Sequence, residues 1–199
     1  MTTSTPERNI KKALDLIQGF EGLSGLRDDG KFYPKQEAAD RPGVLTIGKG
    51  HVVKAHELEK FNKGLTRGEV EKLFAADIAP RVNRLAKLIP PWSTPDQFCA
   101  LLSLFYNNED AIHKTPGRLH KAKDEIGCAA AMLMYVISRN KPQKGLWRRR
   151  MAEAWLYLTG EVVICNSPDK QLQLFKQLSA MGVIQRLKQL KPTHPFLRN

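Results

Sequence analysis

The stretch Gly43-Val44-Leu45-Thr46-Ile47-Gly48-Lys49-Gly50-His51-Val52-Val53 constrains the fold more than any other part of the chain. Thr46, Ile47, Val52 and Val53 favour strands, while Gly43, Gly48 and Gly50 permit tight turns and close backbone approach. The pattern predicts a short strand, a glycine turn through Lys49 and a second strand. One acid, Asp40, lies six residues before Thr46, and another, Glu21, closes an apolar helical pattern upstream. A hairpin set between two carboxylates suggests a small cleft for acid/base chemistry.

The helix leading to Glu21 has a good start in Thr5-Pro6-Glu7: a hydroxyl cap, a proline at the first position, then an acid near the positive end of the dipole. Ile10, Ala13, Leu14, Ile17 and Phe20 follow at helical spacing. Gly19 and Gly22 place the fraying end close to Glu21, beside the apolar Phe20 and Leu23. Such surroundings favour the neutral form of an acid, which proton donation requires. Position alone also fits a merely exposed glutamate. From Gly22 to Pro42 the chain reads as a long loop, with a short strand around Lys31 to Tyr33.

After the hairpin the pattern turns helical. Thr66-Arg67-Gly68-Glu69 is a capping box, with Val70, Leu73, Phe74 and Ile78 inward; Pro80 should break or kink this helix, and Val82, Leu85, Leu88 and Ile89 continue the pattern up to Pro90-Pro91. Thr94-Pro95-Asp96-Gln97 is a second box, and Phe98, Leu101, Leu102 and Phe105 behind it predict a central buried helix ending at Asn107-Asn108. A short basic helix begins at Thr115-Pro116, a buried one spans Cys128 to Ile137, and another runs from Leu146 to Leu158, closed by Gly160. Ser167-Pro168-Asp169 opens a final helix with Leu174, Phe175, Leu178, Ile184, Leu187 and Leu190 on one side.

The formal charge of +12 implies an anionic partner: nucleic acid, membrane surface or an acidic wall polymer. Cys99, Cys128 and Cys165 are odd in number and without metal-ligand spacing, so neither a disulfide framework nor a zinc site is indicated. The polar start, Met1 to Pro6, has no signal-type apolar run, which predicts a protein made soluble in the cytoplasm. His51, beside a strand, has as its ordinary role a structural hydrogen bond and as its alternative a substrate contact.

The chain resembles the bacteriophage-type lysozymes, glycoside hydrolase family 24. The resemblance is carried by Phe20-Glu21-Gly22, by Asp40-x-x-Gly43-x-x-Thr46-Ile47-Gly48-x-Gly50-His51, by Gln97-x-x-Ala100-Leu101 through Phe105-Tyr106-Asn107, and by Gly145-Leu146-x-Arg148-Arg149-Arg150-x-Ala152-Glu153. It implies an α+β, mainly helical, lysozyme-like fold: a small N-terminal lobe with a short β-hairpin, a larger helical C-terminal lobe and a cleft between them. It implies hydrolysis of the β-1,4 bond between N-acetylmuramic acid and N-acetylglucosamine in peptidoglycan, by an inverting course and without a metal or cofactor. Its Glu–Asp–Thr set falls on Glu21, Asp40 and Thr46, with Thr46 able to hold the attacking water. Glu21 and Asp40 stand about ten residues further apart than in the family, which leaves Asp28, Asp29 and Glu37 as rivals for the second carboxylate. Asp40 is preferred because its register to Gly43 and Thr46 is intact. Glu109 stands where the family commonly has glycine.

Tyr106 and Asn107 are candidates for the saccharide groove, with core burial the alternative for Tyr106; Arg149 is a candidate cation beside Glu21, with a solvated arginine run as its alternative. The domain expectation is a catalytic part over residues 1–160 and a basic amphipathic helical extension over 161–199, packed on it or turned to an anionic outer membrane. Such an enzyme acts as a monomer, waiting in the host cytoplasm until a membrane lesion admits it to the wall. The competing reading, a basic helical nucleic-acid binder, explains the charge but leaves Asp40, Thr46 and the glycine hairpin without a task.

Overall fold

A computed structural model gives the structure of the chain, and residues 10–36 and 42–197 are the ones described. The helix start at Thr5-Pro6-Glu7 and the carboxylates Glu37 and Asp40 lie outside them. The elements run α1 (Lys11–Phe20), β1 (Thr46–Ile47), β2 (His51–Val52), α2 (Leu58–Phe61), α3 (Arg67–Leu88), α4 (Pro95–Asn107), α5 (Asp110–His113), α6 (Thr115–Lys121), α7 (Glu125–Met132), β3 (Ile137–Ser138), β4 (Lys141–Pro142), α8 (Lys144–Thr159), α9 (Pro168–Ala180) and α10 (Val183–Leu190). The class is the expected one, mainly helical with small antiparallel strand pairs. Two compact units emerge, Met1–Phe20 with Arg84–Asn199, and Glu21–Asn83.

In the smaller unit β1 and β2 pair antiparallel, Thr46 opposite Val52 and Ile47 opposite His51. So short a hairpin is marginal by itself. It is held by Ile47, which is fully buried in a cluster with Phe32, Phe61, Leu65 and Val70. Gly48 turns the chain at φ +63, and a Cβ there would come within 2.6 Å of Val70. The long loop is more ordered than its sequence suggests. Ser24 bridges to Gly48, Leu26 to Phe32, Phe32 to Leu65 and Lys35 to Thr46, so residues 24–36 are laced to the hairpin by backbone pairs.

The capping box at Thr66 forms as expected, with the Thr66 amide donating to Glu69 Oε2 at 2.8 Å and the Glu69 amide to Thr66 Oγ1 at 3.3 Å. Of the expected break or kink at Pro80 the break does not occur: α3 runs on to Leu88, along the continuing pattern of Val82, Leu85 and Leu88. Pro80 offers no amide to the Ala76 carbonyl four residues back, and Arg81 Nη1 donates to the next carbonyl, that of Asp77, at 2.8 Å. Buried Phe74, Ile78 and Leu85 on both sides of the proline supply apolar burial that keeps the helix going.

In the larger unit α4 is the buried centre, with Phe98 through Phe105 shielded, and it packs against α1 and α8. The helix expected to reach Ile137 stops at Met132. Ile137 is instead exposed on β3, paired with β4 through Arg139 and Asn140 at φ +51 and +60. A two-residue turn with both central φ positive matches the twist of the two strands it joins. The single final helix is two: Gly182 adopts φ +81 and divides α9 from α10. Leu174, Leu178, Val183, Ile184 and Leu187 are buried, with α9 against α8 and α10 against α7. The basic extension is therefore core-forming along one face.

Candidate active site

Glu21 is the first residue beyond α1 and is half-buried. Three residues on, the Ser24 amide donates to the Gly48 carbonyl at 2.7 Å, and the Gly48 amide returns to the Ser24 carbonyl at 3.0 Å. The backbone leaving Glu21 is thereby stitched to the end of β1. Thr46, on that strand, is 7% exposed. Its amide and carbonyl both pair with Lys35, at 2.8 and 2.9 Å. Its hydroxyl lies 3.4 Å from the Lys35 carbonyl and 3.4 Å from Ser24 Oγ. Hydroxyl hydrogen bonds are commonest near 2.7–2.8 Å, so neither contact saturates this group. The folded unit thus brings together the Glu21 segment and Thr46. The preferred second carboxylate, Asp40, lies outside the described residues, as does the rival Glu37.

Of the remaining rivals, Asp28 is exposed in the Arg27–Lys31 turn. Asp29 accepts from Tyr33 Oη at 2.7 Å and from the Lys31 amide at 3.0 Å, while Arg27 covers the Tyr33 ring at 4.2 Å. The Tyr33 hydrogen bond, then that amide, holds the Asp29 carboxyl below its ordinary value. Asp29 is thus committed to closing the turn.

His51 is held between two carboxylates. Its Nδ1 faces Asp77 at 2.9 Å and its Nε2 faces Glu57 at 3.2 Å, with Phe61 edge-on to the ring. Burial raises Glu57, but the Lys54 amide and His51 outweigh it and the net shift is downward. Both ring nitrogens have partners inside the unit, and the Asp77 contact ties β2 to α3. Lys49, at the turn, is 8% exposed, with Nζ 2.5 Å from Glu71 and Phe74 beneath it.

The other predicted site residues lie in the larger unit. Tyr106 and Asn107 end α4, Tyr106 half-buried, and the Arg149 guanidinium stands 6.0 Å from the Tyr106 ring. The arginine run is not a solvated face. Arg149 is 4% exposed and Arg150 fully buried. Arg149 donates to Glu153 Oε1 at 3.1 Å and to the Ser103 carbonyl at 3.3 Å; Arg150 donates to Asn107 and pairs with Glu153. Ser103 Oγ donates to Glu153 Oε1 at 2.7 Å. Sequence reasoning did not single out Ser24, Lys35, Asp77 or Ser103. Only the i, i+4 spacing of Arg149 and Glu153 was a readable signal.

Comparison with known proteins agrees with this geometry. Residues 31–153 match the family described as phage lysozyme. The endolysin of Bacillus phage B103 is 31% identical over 163 residues, covering 77% of this chain, which spans about half (55%) of that protein. Among solved structures, the endolysin from Escherichia coli O157:H7 phage FAHEc1 superposes with a TM-score of 0.64 at 29% identity, over 77% of this chain and 94% of its own. The muramidase domain of SpmX from Asticaccaulis excentricus gives 0.60 at 25%, over 74% and 95%. A glycine hairpin that seats a threonine beside the segment of an acid, on a chain matched over most of its length by one family description, leads to one conclusion: the chain belongs to the phage lysozyme family.

Proposed function

We propose that this chain is an endolysin-type muramidase that hydrolyses the β-1,4 bond between N-acetylmuramic acid and N-acetylglucosamine in peptidoglycan. The observation that carries the reading is the position of Thr46, buried on β1 with a hydroxyl not saturated by Ser24 or Lys35, next to the backbone that leaves Glu21. In this reading Glu21 protonates the departing glycosidic oxygen. Asp40, carried as a carboxylate, activates water, and Thr46 holds that water by its hydroxyl. The two carboxyl groups perform the hydrolysis, and no step calls for a metal or an organic cofactor. The net charge of +12 serves attraction to an anionic wall.

Tyr106 and Asn107 are assigned to the sugar-binding edge of the larger unit. Asn107 is oriented for this by Arg150, and Arg149 serves beneath Tyr106. His51 is assigned to scaffolding. The nucleic-acid alternative draws no support from the relatives, which are two endolysins and a muramidase domain.

The test is clearing of purified peptidoglycan by the native chain and by Glu21→Gln. Loss of a positioned acid is expected to reduce the rate by about 10²–10⁴-fold with folding intact. Equal clearing by both proteins removes Glu21 from the mechanism.

A further inference from the structure

A cavity of about 400 Å³ opens between α8, the non-helical residues 161–166 and α9. That volume is in the range of small-ligand sites. The residues that line it, from Trp155 to Gln177, all follow residue 153, where the match to the phage lysozyme family ends. It is therefore lined by residues outside the matched segment, Trp155 at the end of α8 and the others from the extension.

The lining is chemically mixed. Glu161 brings a carboxylate, oriented by Trp155 Nε1 at 3.3 Å, and Lys170 brings an ammonium. Gln173 and Gln177 add carboxamides one helical turn apart, and Leu174 beside them is buried. Val162 and Val163 also line it, and their backbone groups make no hydrogen bond among the described residues. A purely apolar ligand would leave all these groups unpaired, at a cost.

We propose that this cavity binds the stem peptide of peptidoglycan, as an anchoring site separate from the catalytic one; the proposal rests on the muramidase reading. Within that polymer the glycan repeats present hydroxyls and acetamides, whereas the stem peptides carry free carboxylates, free amines and backbone amides. Lys170 pairs with a peptide carboxylate, Glu161 with a peptide amine, and Val162 and Val163 with the peptide backbone, the way an extended ligand adds to exposed main chain.

The test uses the full chain with Glu21→Gln, so that the wall is not cut. The indole N–H resonance of Trp155, assigned by Trp155→Phe, is followed while the free stem tetrapeptide is added, and in a second arm while an uncharged N-acetylglucosamine oligomer is added. The tetrapeptide is expected to shift the signal saturably at roughly millimolar concentration. The glycan oligomer is expected to leave it in place. Lys170→Glu should weaken the tetrapeptide response about fivefold and, in the otherwise native chain, reduce retention on intact sacculi while turnover of a short glycan substrate is unchanged. No Trp155 shift with the tetrapeptide, an equal shift with the glycan oligomer, or indifference to Lys170→Glu overturns the proposal. The two readings fail separately. A chain that clears peptidoglycan without a Trp155 response loses only the anchoring site. A Trp155 response in a chain that clears nothing removes the muramidase reading alone.

Discussion

Arg150 Nη1 lies 2.7 Å from Glu153 Oε2, and neither side chain is exposed. The other oxygen of Glu153 receives Arg149 and Ser103. One carboxylate therefore serves two guanidiniums and a hydroxyl in the interior between α4 and α8. Breaking a buried pair from one side costs about 3–5 kcal/mol, because the remaining charge is left uncompensated. Glu153→Ala is expected to lower the unfolding free energy by that much in urea titration, and Ser103→Ala by about 1 kcal/mol. A loss below ~1 kcal/mol for Glu153→Ala would mean that water reaches the two arginines.

Thr46→Val keeps the shape of a β-branched strand residue and removes only the hydroxyl. Its two contacts at 3.4 Å are weak, so stability should change by less than about 1 kcal/mol. Peptidoglycan clearing should fall about 10²-fold if that hydroxyl positions water. Parallel thermal unfolding and turbidity assays separate the two effects, and a variant that keeps its rate excludes Thr46 from the chemistry.

Asp29 and Asp40 are predicted to behave oppositely. Asp29 is spent on Tyr33 and the Lys31 amide, so Asp29→Asn should leave activity within about twofold. Asp40→Asn should lose most of it. The reverse ranking would move the second carboxylate into the Arg27–Lys31 turn.

Acid should weaken the fold through two histidines. His120 accepts or donates at 2.7 Å with both Ser93 and Tyr157, His194 faces the Leu133 carbonyl at 2.8 Å, and neither is exposed. Burial pushes the pKa of each below its ordinary value. The unfolded chain then binds these protons more readily than the folded one. Stability is full above the unfolded value of about 6.5 and declines as pH falls below it. Melting temperature should drop between pH 7.5 and 5.5, and less steeply in His120→Gln. A flat profile over that window would show that neither ring is held neutral.

The extension is part of the core. Leu187 is fully buried, and Leu187→Ala is expected to cost about 2–5 kcal/mol. Removal of residues 168 onward should therefore impair action on isolated wall and on intact cells alike, with loss of folding visible by circular dichroism. Selective loss on intact cells would return the tail to a membrane-facing role.

Residues that carry local rules were legible in the chain. The glycines around Lys49 forced the hairpin, the capping boxes at Thr66 and Thr94 set two helix starts, and the stripe from Phe98 to Phe105 marked the central helix. The hairpin at Arg139-Asn140 was not legible, because an apolar run up to Ile137 reads equally as helix and the turn rests on positive φ at two ordinary residues. Pro80 did not break α3, since burial on either side of it outweighed one missing amide, and the apolar pattern from Val82 to Leu88 already carried that continuation.

By itself the sequence determined the kind of unit this is: a glycine hairpin, its acid, its threonine and a helical remainder, all written as short-range spacing. Tertiary structure alone decided how charges far apart in the chain are used. Ser24 met Thr46, His51 was taken by Asp77 and Glu57, and the arginine run went inside to Glu153. Those outcomes depend on which polar groups lose water together when elements pack, and that desolvation exists only in the folded chain.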